Sequence, residues 1–217
     1  MNTNYILIFS LLILINIIFY LANYKIAKYL NLIDVPDSDR KIHTSNVPLT
    51  GGFFLFFNIL FIFLLSNYLS PENNSILNSQ VIIFIFFIFI FGIFDDKFGI
   101  NANFKLLLSI ICFSIFLFFY DNLVLKYIII STGQKINLGI YSIPFTVFCF
   151  VIFQNAFNMY DGINLQNISY FLFLIIIIFI FFGFIDFYIF LAPVLFLLAF
   201  LNLKNKMFLG DSGSYIL

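Results

Sequence analysis

The chain has 217 residues, of which 63% are hydrophobic and only 9% are charged, and its ten basic and ten acidic side chains give a formal net charge of zero. Phenylalanine alone occupies 36 positions. This composition lies far outside the range of soluble domains and excludes a soluble globular protein.

Seven long stretches without Asp, Glu, Lys or Arg predict the helices of an all-α polytopic membrane protein. Most exceed the roughly 20 residues that span a hydrocarbon core, and flanking residues can extend the two shorter ones to that length. Helices are expected because lipid cannot satisfy backbone polar groups and the stretches lack the alternation of a membrane strand. The first stretch has no basic region and no cleavage site, so it is read as a retained helix. The stretches are Met1–Tyr24, Ile42–Pro71, Asn73–Phe94, Leu106–Tyr120, Ile136–Tyr160, Gly162–Ile185 and Phe187–Leu203.

The charged residues indicate which ends of these helices face the cytoplasm. With the connecting loops numbered one to seven, eight of the ten basic residues lie in odd loops or at their edges, and only Lys126 and Lys135 lie in an even one. The positive-inside rule therefore places the odd loops in the cytoplasm and the N-terminus outside. Seven of the ten acids also lie in odd loops, which suggests a site on that face. The eight basic residues are Lys25, Lys28, Arg40, Lys41, Lys97, Lys105, Lys204 and Lys206.

Loop one contains "LIDVPDSDRKIHTSNVPLTGG", Leu32–Gly52. Arg40 and Lys41 are followed by the single histidine, His43, and then by a glycine pair that opens the second helix. Basic side chains beside a glycine-rich helix start suit phosphate, because they supply charge while bare backbone permits close approach. The alternative is a basic loop that only fixes the topology.

Loop three contains "FGIFDDKFGI", in which Asp95 and Asp96 follow a long apolar stretch. Adjacent carboxylates repel one another and are costly near lipid, so a divalent cation that neutralises them is expected, and oxygen ligands suit Mg²⁺. Lys97 and Lys105 flank the pair and add charge for a diphosphate. The alternative is an acidic flank at a helix C-terminus, a position that the helix dipole disfavours.

Loop four, "LVLKYIIISTGQKINLGI", has two β-branched segments on either side of a turn at residues 132–134. This pattern predicts a short β-hairpin on the outer surface, between the fourth and fifth helices. The alternative is an irregular extension of the helix.

Loop five, "QNAFNMYDGINLQN", places Asn155, Asn158 and Asp161 at intervals of three, which is one face of a helix end. Amides together with a carboxylate suit a nucleobase or a sugar. The alternative is an ordinary helix terminus, where Asn, Asp and Gly are also common.

Loop seven, "KNKMFLGDSGS", places Asp211 between two glycines, close to the last hydrophobic residues. Read alone, it is either part of the same polar site or a tight turn with an N-capping Asp.

Four motifs in order carry a resemblance to a known family. They are "DVPDSDRKIHTSNVPLTGG", "GIFDDKFGI", "NAFNMYDGIN" and "FLGDSGS", which span Asp34 to Ser214. The chain resembles the polyprenyl-phosphate N-acetylhexosamine-1-phosphate transferases (glycosyltransferase family 4), the superfamily that contains phospho-N-acetylmuramoyl-pentapeptide transferase. Arg40-Lys41 followed by His43 looks like the O-antigen-initiating branch.

The resemblance implies a reaction in which a polyprenyl phosphate attacks the β-phosphate of a UDP-sugar, giving a polyprenyl-diphosphate-sugar and UMP. It implies Mg²⁺, with Mn²⁺ as an alternative, held by the catalytic acids Asp95, Asp96 and Asp211, one of the first two also accepting a proton. The side chains expected to hold the uridine or sugar are Asn155, Asn158, Asp161 and Asn164. Those expected to hold phosphates are Arg40, Lys41, His43, Lys97 and Lys105.

The resemblance also sets expectations for the whole chain: one transferase domain over residues 1–217, a multi-pass protein of the bacterial inner membrane, and an active site on the cytoplasmic face. The expected partners are a UDP-sugar, polyprenyl phosphate and the bilayer, with no nucleic acid; a homodimer stays open. Members of the family have ten or eleven spanning helices and a late histidine-bearing loop. We therefore expect seven complete helices and the start of an eighth, a C-terminally truncated chain, and no transfer by this chain alone.

Two other functions are weighed against this one. An intramembrane aromatic prenyltransferase would carry two Asp-rich clusters with wider spacing, and no third acid lies near Asp95 and Asp96 in their loop. A secondary transporter would place ionisable groups at mid-membrane and show an internal repeat. Release of UMP from a UDP-sugar separates the three functions.

Overall fold

The computed structural model describes residues 3–36, 45–69, 79–131, 133–161, 164–183 and 185–217. The chain divides into two compact units. The first comprises Met1–Phe98 and Tyr160–Leu217, and the second comprises Gly99–Met159.

Within the described residues, each of the seven uncharged stretches overlaps one long helix, so the prediction of a mainly helical chain is confirmed. An eighth, short helix follows the seventh. The helices are α1 (Thr3–Leu30), α2 (Gly51–Leu69), α3 (Ser79–Phe98), α4 (Ala102–Phe119), α5 (Ser142–Tyr160), α6 (Gln166–Phe182), α7 (Asp186–Leu203) and α8 (Gly210–Ile216). The strands are β1 (Ile33–Asp34), β2 (Val47–Pro48), β3 (Tyr127–Ile129) and β4 (Lys135–Asn137).

Several helices have the length and composition of membrane spans. Among the described residues, five helical segments meet both conditions, and the 17-residue α6 is apolar but shorter. The 20-residue α3 is apolar until it reaches two acids and a lysine in its last turn. These helices make the chain a polytopic membrane protein. The five segments are Asn4–Leu30, Gly51–Tyr68, Ala102–Phe119, Gly139–Tyr160 and Asp186–Leu203.

In the first unit, α2 contacts α1, α3, α7 and α8. Phe54 and Ile62 of α2 and Leu195 of α7 are fully buried in its core. Lipid tails are as apolar as these side chains, so close packing and internal hydrogen bonds hold such helices together. Asn58 supplies such bonds, since its Nδ2 atom donates to Asn16 Oδ1 of α1 at 2.8 Å and to a backbone carbonyl of its own helix at 2.8 Å.

Glycines allow α8 to pack directly against α2 and α3. A Cβ atom at Gly92 of α3 would lie 2.3 Å from Ser212 Cα, and one at Gly52 of α2 would lie 2.7 Å from Gly213 N. The Gly51 and Gly52 N–H groups donate to the carbonyls of Phe208 and Leu209 at 2.9 and 3.1 Å. The space beside this glycine pair is therefore occupied by the chain itself, whereas the sequence had suggested that the glycines leave room for a phosphate.

The loop between α1 and α2 contains a small antiparallel pair, in which Ile33 lies opposite Pro48 and Asp34 opposite Val47. Pro48 also accepts a hydrogen bond from the Phe208 N–H at 2.8 Å. The loop that precedes α2 is thus joined to the loop that precedes α8.

The second unit contains α4, α5 and an antiparallel pair of strands. In β3 and β4, Tyr127 lies opposite Asn137 and Ile129 opposite Lys135. The Leu125 N–H donates to Thr146 Oγ1 at 3.0 Å, which joins the strand region to α5. The location of these strands on the outer face of the membrane stays a prediction.

Candidate active site

The acid pair lies in the last turn of α3, beyond the apolar part of that helix. Asp96 Oδ1 accepts a hydrogen bond from the Asp211 N–H at 2.6 Å, and its Oδ2 accepts one from the Ser212 N–H at 3.0 Å. These donors belong to the first turn of α8, where backbone N–H groups have no partner within the helix. Asp96 therefore caps α8 with both oxygens, and its charge lies at the favourable end of the α8 dipole.

Gly210 makes room for this cap. Its φ angle of +70° lies in the left-handed region that side chains disfavour. A Cβ atom at this position would lie 2.8 Å from each carboxylate oxygen of Asp96. The glycine before Asp211 is thus required both by the backbone conformation and by the position of the Asp96 side chain.

Asp95 contacts the other end of α8. It is only 4% exposed, and its Oδ2 atom accepts a hydrogen bond from the Tyr215 hydroxyl at 2.9 Å. The Tyr215 ring stacks on Phe91, one turn before the acid pair, with centroids 5.5 Å apart. The two neighbouring carboxylates thus hold the start and the end of α8 against α3.

Tyr215 was not among the residues that the sequence suggested for the site. A weak signal was present, because Tyr215 lies four residues after Asp211, and residues at that spacing share one face of a helix. The contact to Asp95 joins residues 120 positions apart, and no local pattern indicates it.

Asp161, the acid of the third motif, interacts electrostatically with Asp96 of the second motif and Asp211 of the fourth. The pKa of Asp161 is raised to about 8, mainly by burial and in addition by the charges of Asp211 and Asp96. The pKa of Asp96 is raised to about 7, mainly by burial and in addition by the charge of Asp211. Hydrogen bonds from Ser212 and Asp211 act in the opposite direction and limit the rise. Asp96, Asp161 and Asp211 therefore form a group of mutually repelling carboxylates.

These acids have the chemistry of a divalent-cation site without forming a complete one. Among the described residues, no three His, Cys, Asp or Glu side chains are arranged to hold a metal ion. Carboxylate oxygens are nevertheless the ligands that Mg²⁺ prefers, and the oxygens of Asp96 keep lone pairs beyond the hydrogen bonds they accept. A cation would also relieve the repulsion among the three carboxylates. The donor chemistry of these residues therefore suits such an ion.

The end of loop five is joined to loop seven. Asn164 Nδ2 donates to Asn205 Oδ1 at 2.9 Å, and the Leu165 N–H donates to Asn202 Oδ1 at 2.8 Å. Asn164 is therefore anchored to the loop that leads into α8, which the sequence did not indicate. Its role in binding a nucleobase or sugar stays a prediction.

Of the remaining predicted residues of the first unit, the structure describes Lys97 and leaves three others outside the described ranges. Lys97 is exposed directly after Asp96, and its Nζ atom lies 5.7 Å from the centroid of the Phe98 ring. Arg40, Lys41 and His43 lie outside the described residues.

Three predicted residues belong to the second unit. Lys105 Nζ of α4 donates to Asn158 Oδ1 of α5 at 3.1 Å, so the structure brings these two side chains together. Asn155 Nδ2 donates to the Val151 carbonyl of its own helix at 2.8 Å. That bond uses one of the two N–H groups of the Asn155 side-chain amide.

The family model for glycosyl transferase family 4 matches residues 79–217 of this chain. That range contains three of the four motifs, including the acid pair and the α8 segment that it caps. The chain belongs to glycosyl transferase family 4. The resemblance inferred from the motifs is thereby confirmed.

Relatives within glycosyl transferase family 4 include undecaprenyl-phosphate alpha-N-acetylglucosaminyl 1-phosphate transferases. The protein of that name from Escherichia coli O157:H7 is 31% identical over 142 residues, covering 64% of this chain and 36% of the relative. The one from Salmonella typhi is 27% identical over 225 residues, covering 96% of this chain and 58% of the relative. A phospho-N-acetylmuramoyl-pentapeptide-transferase from Clostridium botulinum is 30% identical over 203 residues, covering 85% of this chain and 60% of the relative. The chain thus spans between about a third and three-fifths of the length of these relatives.

Proposed function

We propose that this chain takes part in the transfer of a sugar 1-phosphate from a UDP-N-acetylhexosamine to polyprenyl phosphate. An oxygen of the lipid phosphate forms a bond to the β-phosphorus of the donor, the bond from that phosphorus to the bridging oxygen breaks, and UMP leaves. The products are a polyprenyl-diphosphate-sugar and UMP, the first step of a cell-envelope polysaccharide. Family membership and the names of the relatives support this reaction.

The observation that carries the proposal is the contact between Asp96 and the first turn of α8. It joins the second and fourth motifs, and Asp161 of the third motif interacts electrostatically with both. Phosphoryl transfer depends mainly on positioning and charge neutralisation, so carboxylates held in place by the packing of α3 against α8 are the expected machinery.

The proposed metal is Mg²⁺, with Mn²⁺ as an alternative, held by Asp95, Asp96 and Asp211. When bound, the ion supplies charge neutralisation for the diphosphate. One carboxylate of the acid pair accepts the proton of the lipid phosphate. Lys97 and Lys105, together with Arg40, Lys41 and His43, hold phosphates, and Asn155, Asn158, Asp161 and Asn164 hold the uridine or the sugar.

The proposed setting is the bacterial plasma membrane, with seven spanning helices, the N-terminus and the β3–β4 pair outside, and the acids on the cytoplasmic face. The positive charges of the odd loops support this orientation. A single transferase domain is a further part of the proposal, which leaves the oligomeric state open. An active site at the membrane surface suits a reaction between one lipid-anchored and one dissolved substrate.

The test measures UMP release by the protein produced from its complete gene, supplied with polyprenyl phosphate, Mg²⁺ and a panel of UDP-sugars. Asp95→Asn, Asp96→Asn and Asp211→Asn should each lower the rate at least about a hundredfold, because a metal site contributes several kcal/mol to transition-state stabilisation. The matched control is Asp121→Asn, which removes an exposed ion pair with Lys126 at 2.6 Å in the second unit. Near-normal rates for two of the three variants, or no UMP release from any sugar, contradict the proposal.

A further inference from the structure

A groove of about 610 Å³ lies between α1 and α7. Its walls are apolar, with Leu12 and Ile13 contributed by α1 and Val194 and Leu197 by α7. The volume lies within the range of about 300–1,000 Å³ that is typical of sites for small molecules. The groove is therefore large enough for a ligand and offers it mainly hydrocarbon contacts.

Contacts between the two helices and the loop after α7 bound the groove at both ends. At one end the Tyr5 hydroxyl donates to Asp186 Oδ1, and the Phe190 ring lies 5.4 Å from the Tyr5 ring and 4.9 Å from the Phe9 ring. At the other end Asn23 Nδ2 donates to the Lys206 carbonyl at 2.9 Å. Because both ends are joined, the opening is a defined feature of the packing of α1 against α7.

Two lysines give the groove a charged end. Lys204 and Lys206 both line it, one and three positions after Leu203, the last residue of α7. Both side chains are exposed, and in the described part of the chain neither ammonium group pairs with a carboxylate. An apolar groove that ends at two lysines is complementary to an apolar tail that ends in an anion.

We propose that this groove binds an anionic phospholipid of the surrounding bilayer, with one acyl chain between α1 and α7 and its phosphate at Lys204 and Lys206. Other occupants fit less well. A purely apolar helix would leave both ammonium groups without a counter-charge. The polyprenyl phosphate acceptor must reach the acids, and neither Asp96 nor Asp211 lines the groove.

The sequence contains no tryptophan, so one introduced tryptophan is a unique fluorescent reporter. Phe200→Trp places it in the groove, near the lysine end. Phe181→Trp places it on α6, at a side chain that is 75% exposed and does not line the groove. Each protein, produced from its complete gene, is reconstituted in bilayers of phosphatidylcholine. A small fraction of a brominated lipid, either phosphatidylglycerol or phosphatidylcholine, is then included as the quencher.

Quenching of the Phe200→Trp reporter gives the binding constant of each brominated lipid at the groove. The constant for phosphatidylglycerol should exceed that for phosphatidylcholine by about fivefold if one lysine binds the phosphate, and by up to about thirtyfold if both do. Lys204→Gln with Lys206→Gln should bring the ratio close to one. The matched control, Lys25→Gln with Lys28→Gln, removes two exposed lysines from the end of α1 that do not line the groove, and should leave the ratio unchanged.

Each contrary result overturns the assignment. Equal quenching of Phe200→Trp by the two brominated lipids would show that the groove does not select an anionic headgroup. An equal preference for phosphatidylglycerol at Phe181→Trp would show that the preference is a general property of the protein surface. No quenching at Phe200→Trp by any lipid means that protein covers the groove. Displacement of the brominated phosphatidylglycerol by an equal amount of polyprenyl phosphate identifies the acceptor as the occupant. None of these measurements uses transfer activity, so the proposed function is tested separately.

Discussion

At the scale of single residues, the two neighbouring acids have different surroundings. Asp96 accepts backbone N–H groups at the start of α8, whereas Asp95 accepts the hydroxyl of Tyr215 near its end. Adjacent carboxylates on one helix project in different directions, so one pair of acids can hold two points of a short helix. Substitutions here therefore affect both the position of α8 and the proposed chemistry.

Tyr215→Phe tests the contact to Asp95 while keeping the ring that stacks on Phe91. Hydrogen bonds to charged groups contribute about 1.5–3 kcal/mol. If Asp95 must be held in one orientation for transfer, kcat should fall by about ten- to a hundredfold with little change in KM for the UDP-sugar, and the melting temperature should fall by several degrees. A fall in melting temperature with an unchanged kcat would make Tyr215 a purely structural residue. Tyr215→Leu, which also removes the ring, should lower both quantities.

Gly210→Ala tests the close approach of the α8 start to Asp96. The substitution places a Cβ atom 2.8 Å from both carboxylate oxygens, at a φ angle of +70°. Backbone strain alone costs about 1–3 kcal/mol, and the clash displaces Asp96 in addition. We expect a lower melting temperature and loss of transfer.

Gly99→Ala is the matched control for this variant. Its φ angle is +59°, and nothing lies within 4 Å of an added Cβ atom. It should therefore show the backbone strain without the clash. Equal losses of transfer in the two variants would contradict a special role for the space beside Gly210.

At the scale of elements, the decisive contact is the packing of the seven-residue α8 against α2 and α3. A helix this short is not stable alone, so its order depends on partners outside it. Gly52 and Gly92 let the backbones approach, and the acid pair fixes both ends of α8. The order of the fourth motif is therefore a property of α2 and α3 as much as of its own residues.

Gly92→Ala should separate α8 from α3. The added Cβ atom would lie 2.3 Å from Ser212 Cα and 2.6 Å from its nitrogen, and backbone atoms cannot move aside as a flexible side chain can. Overpacking of this kind costs about 1–3 kcal/mol, so thermal unfolding in detergent should begin several degrees lower and transfer should be lost. Phe87→Leu, at a 60% exposed position of the same helix, is the control and should change neither. An unfolding temperature equal to that of the control would show that the α3–α8 contact is loose.

At the scale of the whole molecule, the sequence predicts the helices well and the contacts between them poorly. The long uncharged stretches specify helices because backbone polar groups in lipid must form hydrogen bonds within the segment. Four motifs in order were enough to recognise the family. The capping of α8 by Asp96 joins residues 115 positions apart, and the role of Gly51 and Gly52 depends on a segment near residue 209. Such contacts follow from tertiary packing, which apolar periodicity does not encode.

The orientation of the molecule in the membrane follows from the distribution of its basic residues. Eight of ten basic residues lie in the odd loops, so the end of α1 should be cytoplasmic and the loop between α4 and α5 external. In a background without Cys112 and Cys149, Lys28→Cys and Asn122→Cys each place one thiol at an exposed position of these two regions. A membrane-impermeant maleimide added to intact cells should label Asn122→Cys and spare Lys28→Cys until the membrane is opened. Labelling of Lys28→Cys in intact cells would show that the topology is the reverse of the one proposed. Asp95 and Asp96 would then lie away from cytosolic UDP-sugars, which would also refute the proposed transfer.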